Sequence, residues 1–298
     1  MIKRENRMLI ALPVPEHGDP NAAAAVQELL GGKFGEMSTL NNYMFQSFNF
    51  RRKDKLKPFY DLVASITAEE FGHVELVSNA INLLSRGNTF YTGDPDVTPL
   101  RTGKDSRNTY QFIATAQTAL AGDSMGRAWT GDNVFNSGNL VLDLLHNFFL
   151  EVGARTHKMR VYEMTENETA REMIGYLLVR GGTHVLAYAK ALEIATGVDV
   201  KKLIPLPDLA NSRFDHARKF EEQGLANVLY TWNDVGEYAD ISQIWKGTNP
   251  ENGERLIVKQ GSPKGAPIPN LDDLPEEFAP GIDRDDYERI AKRLMENL

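Results

Sequence analysis

The chain of 298 residues contains no cysteine. That absence removes disulfides, thiolate-bound zinc, iron–sulfur clusters and thiol catalysis together, so any bound metal has only oxygen and nitrogen donors. It also leaves no thiol to be oxidised, which suits a chain that meets oxidants without pointing to one. A surplus of positive charge is missing as well: 33 Lys and Arg stand against 41 Asp and Glu, for a net charge of −8. This argues against nucleic-acid binding, which displaces counterions with Lys and Arg, and against binding to anionic membranes. No run of about 18 apolar residues occurs, so no transmembrane helix is expected. The apolar stretch near the start, Met8 to Leu12, is short and is stopped by Pro13 and Pro15, so no secretory signal is expected and a cytoplasmic protein is the default.

What is present is helical. Four strong segments are read at Asn21 to Phe50, Pro58 to Arg86, Ser137 to Thr165 and Glu168 to Thr196. Asp19-Pro20 and the run Ala22–Ala25 favour the first start; Pro58 sits in the first turn of the second, and Gly87 just past its end. Asn167 or Thr165 caps the fourth, and Gly197 stops it. Short links join the first pair and the second pair, which makes each pair an antiparallel hairpin. Between the pairs lies a long crossover, residues 87–136, with an extra helix expected near Asn108–Met125. Two hairpins with one long crossover make an all-α, ferritin-like four-helix bundle. After Gly197 the texture changes: residues 198–298 hold 8 of the 14 prolines, too many for continuous helix. The expected division is a bundle over 1–197 and an extended, mostly irregular C-terminal tail over 198–298, ending in a short helix at Asp285–Asn297. Trp232, Trp245, Phe220 and Tyr230 mark the tail as one that packs on the bundle or on a neighbouring subunit.

Polar residues interrupt the apolar stripes of the helices. The second helix reads Val63, Ile66, Glu70, His73, Val77, Ile81, Leu84 in steps of 3 and 4, the spacing of one helix face. Glu70 and His73 thus take two successive core positions, the i, i+3 pair that offers oxygen and nitrogen to one metal. On the first helix Glu36 shares a face with Leu29, Leu40 and Tyr43; on the third, Leu144 and Phe148 lead to Glu151, then Lys158 and Tyr162. On the fourth, His184 follows Ile174, Leu177 and Gly181, with Gly181 and Gly182 mid-helix at about 1 kcal/mol each relative to Ala. Removing side chains there is expected to open room for water or a small substrate.

Each intruder alone has an ordinary reading. A lone buried Glu more often pairs with Arg or Lys, and a lone His is more often a hydrogen-bonded core residue. Together, three Glu and two His converge from four helices, and two divalent cations would neutralise them. His17, His146, His157 and His216 lack the pattern.

The segments NAAAAVQELLGGKFGEMSTLNNYMFQSFNF, AEEFGHVELV, SGNLVLDLLHNFFLEVGARTHKMRVYEMT and REMIGYLLVRGGTH resemble those of the non-haem manganese catalases, across residues 20–197 and again around IWKG and EFAP in the tail. The resemblance implies two manganese ions per subunit with a bridging water or hydroxide. It makes Glu36 a terminal ligand, Glu70 and Glu151 bridging carboxylates, and His73 and His184 the ligands completing the two metals. Part of that family carries a Glu as an outer-sphere proton carrier where this chain has Gly181, and an Arg where it has Leu150. Lys158 and Tyr43 are the candidate catalytic residues. Some relatives bind calcium near the start of the second helix; Asp61 matches there, but Ser65 stands where a second Asp is expected, and calcium is left unassigned. The implied reaction is disproportionation of hydrogen peroxide to water and dioxygen, with the metals cycling between Mn(II)2 and Mn(III)2, in a hexamer. The alternatives are a di-iron oxidase or oxygenase of the same fold and a ferritin-like iron-storage protein.

Overall fold

Asp19-Pro20 starts the first helix as its chemistry suggests. The Asp19 carboxylate accepts a hydrogen bond from the Ala22 backbone N–H at 2.9 Å, and proline needs no donor in the first turn. The computed structural model describes residues 4–86, 110, 114, 118–200, 211, 213–271 and 284–297. The single helix expected from Asn21 to Phe50 is two: α1 (Pro20–Gly31) and α2 (Glu36–Phe48). Gly31, Gly32 and Gly35 lie at the break, and a Cβ on Gly31 would fall 2.1 Å from the Gly122 carbonyl oxygen of the crossover. The apolar spacing runs on across the break, so periodicity alone reads through it. The break also brings Glu36 into the first turn of α2, where the helix dipole favours a carboxylate.

The other long helices follow the sequence closely. They are α3 (Lys57–Arg86), α4 (Leu140–Met164) and α5 (Glu168–Thr196). α4 starts three residues later than expected, capped by Asn139, which accepts from the Val141 and Leu142 N–H groups. Asn167 caps α5, and Gly197 ends it in the left-handed region at φ +74°. α2 packs along α3 and α4 along α5, while α3–α5 and α2–α4 contacts join the hairpins. No described helix is long and apolar enough to cross a membrane.

The crossover returns over α1 and α2. Gln27 donates to the Leu120 and Gly122 carbonyls at 2.7 Å each, and Asn42 holds Asn133 and Phe135. The extra helix expected near 108–125 lies partly outside the described residues; Tyr110 and Ala114 are helical, but its last part, 118–125, is turn rather than helix, since Gln27 and Glu28 of α1 bond these backbone groups instead. In the tail, α6 (Asp215–Glu222) precedes β2 (Val228–Tyr230), which pairs in parallel with β3 (Ile257–Lys259). β4 (Ala266–Pro267) pairs antiparallel with β1 (Arg7–Met8), and α7 (Arg284–Glu296) closes the chain. Phe214, Ala217 and Phe220 pack with Met173 and Ile174 of α5, and Trp245, Ile241 and Leu256 pack with Leu62, Tyr188 and Leu192. The tail between Phe214 and Leu256 is thus held to the bundle by apolar burial, whereas α7 leaves Ile290, Leu294 and Met295 exposed.

These contacts form two apolar clusters rather than one. The first holds Leu76 to Leu84, Val161, Tyr162 and Met173 to Val179; the second holds Leu62 to Ile66, Leu144 to Leu150 and Val185 to Leu192. The gap between them falls at one level on α2, α3, α4 and α5. The charged residues sit in that gap.

Candidate metal centre

Glu36, Glu70, His73, Glu151 and His184 are all buried and all meet. They form two triads, Glu36–Glu70–His73 and Glu70–Glu151–His184, with the donor atoms of each within 4.8 Å of one another. Glu70 is common to both. Its Oε2 lies 3.2 Å from His73 Nδ1 and its Oε1 lies 2.9 Å from His184 Nδ1, so one carboxylate presents an oxygen to each side. His73 Nδ1 is also 3.5 Å from Glu36, and His184 Nδ1 is 3.2 Å from Glu151. The two imidazole rings stack with centroids 5.7 Å apart.

The two residues expected to assist are in place. Lys158 Nζ lies 2.7 Å from Glu36 Oε1, and Tyr43 donates to Glu151 Oε1 at 2.8 Å. Burial alone would push the Lys158 ammonium down, but Glu36, Glu151 and Glu70 hold it above its ordinary value. Burial, then the charge of Glu151, pushes the Tyr43 hydroxyl well up, so it remains a donor. Four helices supply these groups because each carries its polar residues at the level where the apolar clusters stop.

Four participants were not read from the sequence. Thr39, one turn past Glu36, donates to Glu70 Oε2 at 2.7 Å. Glu69 and Arg180 form a buried ion pair, Nε to Oε1 at 2.5 Å and Nη2 to Oε2 at 3.0 Å. Arg155 is buried one turn past Glu151 and donates to the Leu178 carbonyl and to Asn211. A signal for two of them existed: Glu69 precedes His73, and Arg180 precedes His184, by four residues, one helix turn on the same face. Two expectations change accordingly. Arg155 takes the space beside Gly181, where a Cβ would lie 3.1 Å from its Cγ, whereas Gly182, 3.3 Å from Arg155 Nη1 at the Cβ position, lines a cavity of about 160 Å³ with Thr183, Asn211 and Glu221. The expected carboxylates are also not left to metal alone, since Lys158 pairs with Glu36, while Arg180 pairs with the additional carboxylate Glu69.

The remaining expected residues lie elsewhere. Asp61 pairs with Lys57, whose ammonium also reaches the Glu237 carbonyl at 2.9 Å and Asp240 at 3.5 Å. Ser65 donates to the Tyr230 carbonyl at 2.5 Å. A lysine cation therefore occupies the position beside Asp61. His216 bonds Tyr162 and Glu168, and His146 stacks on Phe135, both away from the triads.

The residues present suit a cation pair. Every donor is oxygen or imidazole nitrogen, and His73 Nδ1 is buried beside two carboxylates without a hydrogen-bond partner. An unpaired buried nitrogen in that setting is costly unless a cation joins it. Hard oxygen donors with imidazole accommodate manganese. Fold and site together define a helical-bundle protein of the carboxylate–imidazole metalloenzyme class. The sequence model of the manganese-containing catalases matches residues 1–298, and the chain belongs to that family, whose reaction is the disproportionation of hydrogen peroxide. It is 34% identical over 185 residues to the uncharacterized protein YjqC of Bacillus subtilis strain 168, covering 60% of this chain and 64% of that one. It is 30% identical over 271 residues to a manganese catalase of Bacillus subtilis, covering 88% and 92%. The crystal structure of KatB, a manganese catalase from Anabaena PCC7120, superposes with a TM-score of 0.54 at 25% identity, over 65% of this chain and 81% of that one. The family and fold do not favour the di-iron oxidase or iron-storage alternatives.

Proposed function

We propose that Glu36, Glu70, His73, Glu151 and His184 bind two manganese ions per subunit, bridged by water or hydroxide, and that this chain disproportionates hydrogen peroxide there. The observation that carries the reading is Glu70, with one oxygen facing each histidine. When bound, the metal pair supplies two-electron redox chemistry between Mn(II)2 and Mn(III)2, which matches the two electrons moved in each half of the reaction. The protein's own groups do the rest. Tyr43 donates to Glu151 and Thr39 to Glu70, each fixing the orientation of the carboxylate it holds. Lys158 holds a positive charge and a proton at Nζ against Glu36, where a proton is needed when oxygen leaves as water. The apolar clusters on both sides keep bulk water from the centre.

A hexameric assembly, with tails crossing between subunits, belongs to the same reading. It is supported by exposed Phe45, Phe48, Leu142, Leu145 and Phe149, which leave apolar surface on α2 and α4. Native mass tests it. The cytoplasmic assignment rests on the sequence reading, and cell fractionation tests it. The central experiment is metal quantification on the purified chain beside an oxygen electrode after peroxide addition. Two manganese per subunit with oxygen evolution is expected, and His184→Ala or Glu70→Ala should lose both. Full metal content and activity in either variant, or iron with oxygen consumption in the native protein, would overturn the proposal.

A further inference from the structure

The two histidines of the centre each have a second ring nitrogen, and both second nitrogens approach one residue. His73 Nε2 lies 3.6 Å from Glu69 Oε1, and His184 Nε2 lies 3.5 Å from Glu69 Oε2. Glu69 is buried, and Arg180 grips both of its oxygens. Arg180 in turn donates from Nη1 to the carbonyls of Leu225 and Val228, at 2.5 Å and 2.8 Å. Those carbonyls belong to the tail, immediately before and at the start of β2. Hydrogen bonds thus run from tail backbone through Arg180 to Glu69, whose two oxygens are the carboxylate oxygens facing the two imidazole Nε2 atoms, both buried and without a hydrogen-bond partner.

Resting on the dimetal reading above, we propose that Glu69 is the shared positioning residue for His73 and His184, and that the docked tail sets its orientation through Arg180. A ligand imidazole turns its lone pair toward the metal only if its other nitrogen carries the proton, and an acceptor beside that nitrogen fixes both tautomer and ring rotation. A carboxylate has two oxygens and can serve two rings, provided its plane is held. A two-point guanidinium contact holds that plane, which a point-charge lysine does not. The small separation between the rings makes one shared acceptor sufficient. Were Glu69 merely the counterion of Arg180, replacing both by a neutral pair would leave metal affinity untouched.

The test is titration of the full metal-free chain with Mn(II), following free ion by its electron paramagnetic resonance and the bound pair by its coupled signal. Three variants are compared with the native protein: Glu69→Gln, Arg180→Lys, and the double variant Glu69→Gln with Arg180→Met. Glu69→Gln should weaken binding about ten- to a hundredfold and alter the signal of the bound pair. Arg180→Lys keeps the buried charge pair but cannot reach both Glu69 oxygens and both carbonyls, so a smaller loss is expected. The double variant leaves no buried charge unpaired; it should keep native helix content by circular dichroism and still lose affinity. It decides the matter if Glu69→Gln alone does not fold, with Arg180→Lys as the second arm. Native affinity and an unchanged signal in Glu69→Gln or in the double variant would overturn the proposal. Failure of the native chain to take up two manganese ions would instead sink the underlying reading, so the two failures are distinct.

Discussion

Lys158→Met separates a structural from an electrostatic role for the buried ammonium. Methionine keeps most of the apolar stem and removes the charge, leaving Glu36 buried without its partner. At 2.7 Å and an effective dielectric of 20, the pair's attraction is about 6 kcal/mol before desolvation is charged against it. Removing one member of a buried pair strands the other, at about 3–5 kcal/mol. The metal-free variant should therefore lose about that much stability, on the order of 10 °C in melting temperature. Cations bound beside Glu36 take over the charge balance, so the manganese-loaded variant should lose clearly less. By linkage, a change that harms the metal-free state more than the loaded state tightens manganese binding by the difference. Differential scanning calorimetry on both forms measures this. Equal losses in the two forms, or no loss in the metal-free form, would refute the proposed role of Lys158 in offsetting the charge of Glu36.

Two further predictions concern the scaffold. Gly31→Ala gains about 1 kcal/mol of helix propensity, yet its Cβ would meet the Gly122 carbonyl at 2.1 Å. The crossover must then lift from α1, so a net loss of about 1–3 kcal/mol is expected in urea unfolding; a variant more stable than the native chain would contradict the close approach. Asp123 is the acid-sensitive element of the same loop. Burial raises its carboxyl, but the N–H groups of Arg127 and Met125 and the Arg127 guanidinium outweigh that and hold it below the ordinary range. Because its folded pKa lies below the unfolded one, its contribution is complete above the ordinary carboxylate range and is lost as pH falls through the folded value. The melting-temperature gap between native chain and Asp123→Asn should be full at neutral pH and close in acid; a gap constant with pH would rule this out.

Most of the bundle was legible because its signals are local. Caps at Asp19 and Asn167, the stop at Gly197 and the 3–4 spacing of apolar residues act within a turn or two of chain. The same spacing marked Glu36, Glu70, His73, Glu151 and His184, since a polar residue on an apolar stripe is visible without a structure. Two features were not legible. The α1–α2 break depends on Gly122, some ninety residues away from Gly31 in sequence, and hydrophobic periodicity carries no trace of it. The filling of the space at Gly181 depends on Arg155 of another helix, whose side chain could equally have faced solvent.

The sequence by itself determined that helices form, where the capped ones start and stop, and that oxygen and nitrogen donors lie on their buried faces, because backbone geometry fixes which side of a helix a residue occupies. Only the tertiary structure decided that Glu70 faces both histidines, that Lys158 meets Glu36, and that Glu69, held by Arg180, lies beside both imidazoles. Those pairings depend on the depth and rotation at which separate helices pack, and these are set by side-chain interlocking across the whole core rather than by any one segment.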